Sequence, residues 1–270
     1  MRYIRKSQNQ LYPYPLPFLF LTLGISWLFW SVAVLMQVQV HQTLGRGLLT
    51  LGGLGPTLAT LGFLFLSGET RTDFLRRLLW VRGGSFGIWL LILLLPLGIQ
   101  LLSIVGSLGL GASKEQLCLR EDFHSLNQLV LFAGFIFLFG PLPEEVGWRG
   151  YGLPALLNRL GWVPASILLA CFWALWHLPL FFIGGYPLAI LTQEPLRLLF
   201  YFLDFFPNTL LYSWIFLLTG GSIPAAVVFH WSGNFWGMAF ETGPLAEGFA
   251  LGIKTILALL IATRIPMQKS

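Results

Sequence analysis

Eight apolar runs, each close to the length a helix needs to cross hydrocarbon, divide this sequence almost end to end. A helical span takes about 20 apolar residues. Runs of that order fall at roughly 16–36, 47–66, 86–106, 126–143, 163–183, 198–219, 223–240 and 245–263. Little chain is left between them to build a soluble core. The composition agrees, with 56% of the 270 residues hydrophobic and 10% charged, where soluble domains carry about 25% charged residues. The mean hydropathy of +0.76 points the same way. The expectation is an all-α polytopic membrane protein of about eight transmembrane helices, a single helical membrane domain over residues 1–270 with the lipid bilayer as its surroundings. No internal repeat, low-complexity tract or second domain interrupts it.

A sequence pI near 9.5 could suggest a nucleic-acid partner, but Lys and Arg form no basic face. They sit in the short connections, where they report topology. Eleven fall on one side of the alternating runs, among them Arg2, Arg5 and Lys6 at the amino terminus and Arg71, Arg76, Arg77 and Arg82 in the 67–85 loop. Four, Arg46, Lys114, Arg120 and Arg197, fall on the other, while Lys254 lies within a run. By the positive-inside rule both termini are expected in the cytosol, an arrangement that an even number of spans permits. The first run has a basic flank but is long and lacks a small-residue cleavage site, so it reads as a retained signal-anchor. The membrane would be the plasma membrane of a prokaryote or the endoplasmic reticulum of a eukaryote. Cys118 and Cys171 allow at most one bridge and form no CxxC pair, which argues against a disulfide scaffold or a cysteine-rich metal site.

Ionisable groups inside spans are costly and point to function. Here they are Glu144, Glu145, His177, Asp204, His230 and Lys254, with Asn234 as a polar companion. In "GPLPEEVGWRG" (140–150), Pro141 and Pro143 suit a helix that restarts at Glu144. On that helix Glu145 and Arg149 are four apart and share a face, whereas Glu144 points about 100° away and lies above Trp148. One acid is expected to be structural and the other free. Each element alone also has a structural reading. The acids and arginine could close a helix at the surface, His177 of "FWALWHLPLFF" could bond a backbone carbonyl, and His230 with Asn234 of "VVFHWSGNFWG" could join helices. Together they supply what peptide hydrolysis requires. A glutamate and a histidine can activate a water, and a histidine and an amide can donate to the oxyanion. No serine or cysteine has an evident base partner, so water is read as the nucleophile.

The pattern resembles the type II CAAX prenyl endopeptidases and their bacteriocin-processing relatives, the CPBP family of intramembrane glutamate proteases. Their signature is EExxxR, then FxxxH, then HxxxN or HxxxD on separate membrane helices. Glu144 to Arg149 matches the first and His230 to Asn234 the third, and the resemblance covers about residues 126–240. The second departs, with Trp173 four before His177 and Phe172 beside it. What the resemblance implies is an intramembrane endopeptidase without a metal or other cofactor. Glu144 and His177 would activate water, His230 and Asn234 would form the oxyanion site, and Glu145 and Arg149 would support it. The partner would be a membrane-associated peptide or protein, prenylated or not.

Two other readings stay open at this level. Glu144, His177 and His230 could be three ligands of a zinc ion with water in the fourth position, although HExxH is absent. Alternatively the chain could bind, transport or confer immunity to a peptide, with Asp204 and Lys254 as working charges; no inverted repeat supports a transporter. One geometric tension stands out. At about 1.5 Å per residue, His177 lies roughly 20 Å into its run, whereas Glu144 follows the end of its own. The two meet only if helices tilt or the run boundaries shift.

Overall fold

The apolar runs become helices, and prolines set where several of them start. The computed structural model describes residues 11–66, 68–81 and 84–264. Helix α1 (Pro15–Leu35) opens on a proline, whose missing N–H costs nothing in a first turn. A bent pair follows, α2 (Thr43–Gly53) and α3 (Gly55–Leu64), turned by 44° at a break where Pro56 sits in the first turn of the second helix. Next come α4 (Gly68–Leu78), α5 (Phe86–Gly109) and a broken rod of α6 (Leu126–Phe139), α7 (Pro141–Gly147) and α8 (Leu153–Leu157). The last four are α9 (Trp162–Trp176), α10 (Pro195–Leu218), α11 (Ile223–Ala239) and α12 (Pro244–Arg264). Among the described residues the sole β feature is an isolated bridge between Leu119 and Phe240. The all-α expectation holds.

Not every one of the expected eight spans stands out by length and apolarity. All eight runs are helical, but five helical segments are long and apolar enough to cross a membrane, or six if the bent α2–α3 pair is one span. The exceptions are α10 and α11. Helix α11 has 17 residues, and α10 carries Arg197, Asp204 and Asn208 among its apolar positions. Both pack on several neighbours, α10 against α9, α11 and α12, and α11 against α5, α6, α7 and α10. Helices that carry polar groups toward a protein interior have a lower mean hydropathy than helices wrapped in lipid. Five of the eleven basic residues behind the expected placement of the termini, Arg2, Arg5, Lys6, Arg82 and Lys269, lie outside the described residues.

The broken rod resolves the tension between Glu144 and His177. The fourth span does not end at 143; it continues from Leu126 to Leu157. Chain direction changes at Gly140, and Pro141 starts a new helix three residues earlier than the expected start at Glu144. The carboxylates therefore sit within a span. Close packing of α7 on α3 fixes the new direction. A Cβ on Gly147 would stand 2.3 Å from the Pro56 Cβ and 2.7 Å from its carbonyl carbon, so only glycine allows this approach.

Part of the 67–85 segment, read as a basic loop, is helix α4, and its inward face is polar. Thr70, Asp73, Phe74 and Arg77 are the buried positions, spaced three and four apart. Arg77 Nε donates to Asp73 Oδ2 at 2.8 Å, and the Tyr12 hydroxyl donates to the same oxygen at 2.9 Å. The other end of the guanidinium reaches the main chain, NH1 to the Arg149 carbonyl at 3.2 Å and NH2 to the Gly150 carbonyl at 2.7 Å. Those carbonyls belong to a π-turn, Trp148–Gly152, that joins α7 to α8, a local widening often found at functional sites. Burial by itself raises the Asp73 carboxyl. The Arg77 charge, with hydrogen bonds from Arg77, Tyr12 and Arg76, outweighs burial and holds it below its ordinary value of 3.8. The stability this group contributes is therefore complete above that ordinary value and is lost as pH falls below it, through the folded-state value. Removing the guanidinium in Arg77→Ala leaves Asp73 with Tyr12 and Arg76 but takes the donor from the Arg149 and Gly150 carbonyls, and is expected to cost about 1–3 kcal/mol. Melting curves of purified Arg77→Ala in detergent check this, and a wild-type midpoint would contradict the anchoring role.

Candidate active site

Glu145 joins two of the sequence motifs directly. Arg149 NH1 donates to its Oε1 at 2.8 Å, and both side chains are fully buried. The i,i+4 pairing expected on this helix is formed. His230 Nδ1 lies 2.9 Å from the same Oε1, a contact between residues 85 apart that helical spacing cannot reveal. Because a carboxylate oxygen only accepts, Nδ1 carries the proton in this contact. The Arg149 guanidinium lies over two aromatic rings, 5.0 Å from the centroids of Trp173 and Tyr212. Those quadrupoles compensate part of its desolvation, while Glu145 Oε2 and Arg149 Nε and NH2 have no hydrogen-bond partner among the described residues.

Glu144 is not free either. The Trp173 indole N–H donates to its Oε2 at 2.9 Å. The neighbour expected from helical spacing, Trp148, instead turns fully into the core, edge-on to Phe18 and Trp176. A large apolar ring gains more there than beside a carboxylate. The other oxygen of Glu144, Oε1, faces the helix break. Both it and Asn234 Nδ2 lie 3.9 Å from the point where a Cβ on Gly140 would stand. Gly140, Glu144 and Asn234 thus border one space.

His177 follows the last residue of α9, and its Nδ1 is 2.8 Å from the Trp173 carbonyl. The structural reading of this histidine is therefore correct for one nitrogen. The carbonyl can only accept, so Nδ1 donates and the neutral ring keeps its lone pair on Nε2. Trp173 then touches all three motifs. It holds Glu144 and lies under Arg149 of the first, receives His177 of the second, and stands edge-on to His230 of the third with ring centroids 5.3 Å apart. Sequence spacing gave no sign of this role, nor of the Arg77 anchor, although Asp73 and Arg77 at i,i+4 were a readable signal for a pair on one helix face.

Other polar groups are accounted for elsewhere. Lys254 Nζ lies 2.5 Å from Asp204 Oδ2, and Asn208 donates to the same oxygen at 2.8 Å. The two intramembrane charges thus pair with each other and tie α10 to α12. Both cysteines are free and exposed. Among the described residues no three His, Cys, Asp or Glu side chains are placed to hold a metal ion.

Fold and site together define an integral membrane protein with a buried acid–histidine cluster. Residues 126–236, which hold all six candidate residues, match the family model described as type II CAAX prenyl endopeptidase, Rce1-like. Over 165 residues the chain is 33% identical to a protein named CAAX prenyl protease 2 from Methanococcus maripaludis. That alignment covers 61% of this chain and 60% of the relative, so the likeness spans about three fifths of each.

Proposed function

We propose that this chain is an intramembrane endopeptidase of the glutamate type, acting on a membrane-associated peptide with a CAAX-type carboxyl terminus. The observation that carries the reading is the gathering of Glu144, His177 and His230 around Trp173, with Asn234 across the α6–α7 break from Glu144. Water attacks the scissile carbonyl carbon, and Glu144 accepts its proton. His177, with its lone pair on Nε2, accepts a hydrogen bond from the same water and orients it. The carbonyl oxygen becomes an oxyanion that Asn234 and His230 meet as donors. With Nδ1–H committed to Glu145, His230 donates from Nε2 only as the imidazolium, so the working ring carries both protons. The proton held by Glu144 passes to the leaving nitrogen as the C–N bond breaks, which frees an amine and a new carboxyl terminus. Glu145 and Arg149 hold His230 in place.

The relative's name, CAAX prenyl protease 2, supports a prenylated substrate, whose lipid would enter from the bilayer while the peptide reaches the site near the cytosolic face. The test is hydrolysis of a farnesylated CAAX peptide and of its unmodified counterpart by the purified protein, with products identified by mass spectrometry. Cleavage of neither would overturn the assignment. We also read all eight helical runs as crossing, with both termini in the cytosol. Cysteine labelling at positions 5 and 268 checks this, and labelling of either from outside intact cells would refute it.

A further inference from the structure

We infer that Trp173 is a positioning residue that sets Glu144 and His177 in one geometry, its indole N–H holding the carboxylate and its carbonyl fixing the tautomer of the imidazole. This rests on the proposed hydrolase reading and adds a residue to it. The two contacts come from one residue and face two different groups, 2.9 Å from Nε1 to Glu144 Oε2 and 2.8 Å from the carbonyl to His177 Nδ1. They divide the working atoms cleanly. Trp173 takes Oε2 and leaves Oε1 on the side of Gly140 and Asn234; it takes Nδ1 and leaves Nε2 with the lone pair.

The kind of donor matters. An indole N–H is neutral and can only donate, so it fixes a carboxylate without cancelling its charge. A lysine or arginine in its place would form an ion pair and remove the negative charge that accepts the proton. The Arg149 guanidinium lies over the face of the same ring, 5.0 Å from its centroid, where it polarises the indole and strengthens the N–H as a donor. Packing alone does not require this nitrogen. The ring also stands edge-on to Phe205, with centroids 5.2 Å apart, and phenylalanine would satisfy that contact.

The experiment separates the nitrogen from the ring. Replacing Trp173 with β-(3-benzothienyl)alanine keeps the bicyclic shape and exchanges only the N–H for sulfur; Trp173→Phe is the simpler companion. Both are assayed with the farnesylated CAAX peptide beside wild type and Glu144→Gln. The benzothienyl variant is expected to lose roughly tenfold to a hundredfold in kcat, the scale of one hydrogen bond to a charged group, with KM and melting temperature at wild-type values. Trp173→Phe should show the same kcat loss with a lower melting temperature from the missing ring volume. A benzothienyl variant that turns over at the wild-type rate overturns the inference, provided that wild type cuts and Glu144→Gln does not. If wild type fails to cut, or Glu144→Gln cuts, the hydrolase reading itself fails and this inference goes with it.

Discussion

Glu144→Gln is expected to abolish cleavage of the farnesylated peptide while the protein melts close to wild type. The substitution keeps size and shape, and the amide oxygen still accepts from the Trp173 indole that now holds Oε2 at 2.9 Å. What disappears is the ability to take a proton from water. Loss of a general base typically costs 10²–10⁴-fold, and here the same group would also return the proton to the leaving nitrogen. Single-turnover kinetics beside a melting curve measures both quantities. Turnover near that of wild type would sink the glutamate mechanism, however close the family likeness.

Its neighbour should behave differently. Arg149→Ala is expected to lose activity and stability together. Arg149 and Glu145 are both fully buried, and truncating the arginine leaves the carboxylate with His230 as its remaining partner. Breaking a buried pair in this way costs about 3–5 kcal/mol. The truncation also empties the space between the Trp173 and Tyr212 rings, which adds a cavity term. Glu145→Gln should be milder, since an amide oxygen can still accept from both Arg149 and His230. An Arg149→Ala protein that is inactive yet melts like wild type would instead place the guanidinium in contact with substrate.

Local periodicity made much of this architecture legible, and its limits are equally physical. The apolar runs marked every membrane-length helix, and four-residue spacing correctly paired Glu145 with Arg149. The same spacing misplaced the surroundings of Glu144, because the choice of Trp173 over Trp148 depends on where α9 packs. The proline pair was read as the end of a span when it only redirects one at Gly140. A restart and a terminus look alike in sequence, since each removes the same backbone donors. Helices α10 and α11 complicate a count by hydropathy because the polar groups they carry inward lower the very average being used. The π-turn had no sequence mark at all, and neither did the bond from His230 to Glu145, which closes only once the bundle has formed.

The clasp on that π-turn has a consequence for how the region can change over time. Arg77 reaches the carbonyls of Arg149 and Gly150, not their side chains. A contact to main chain reads the shape of a segment and is blind to the identity of its residues. This guanidinium therefore asks only for the curve, and the choice of residue along the turn is left to other contacts, the pairing of Arg149 with Glu145 and the 2.8 Å between Phe74 and a Cβ on Gly150 among them. The freedom is one-sided: an insertion or deletion of a single residue in the turn would move both carbonyls out of reach, so divergence here should proceed by substitution and not by change of length.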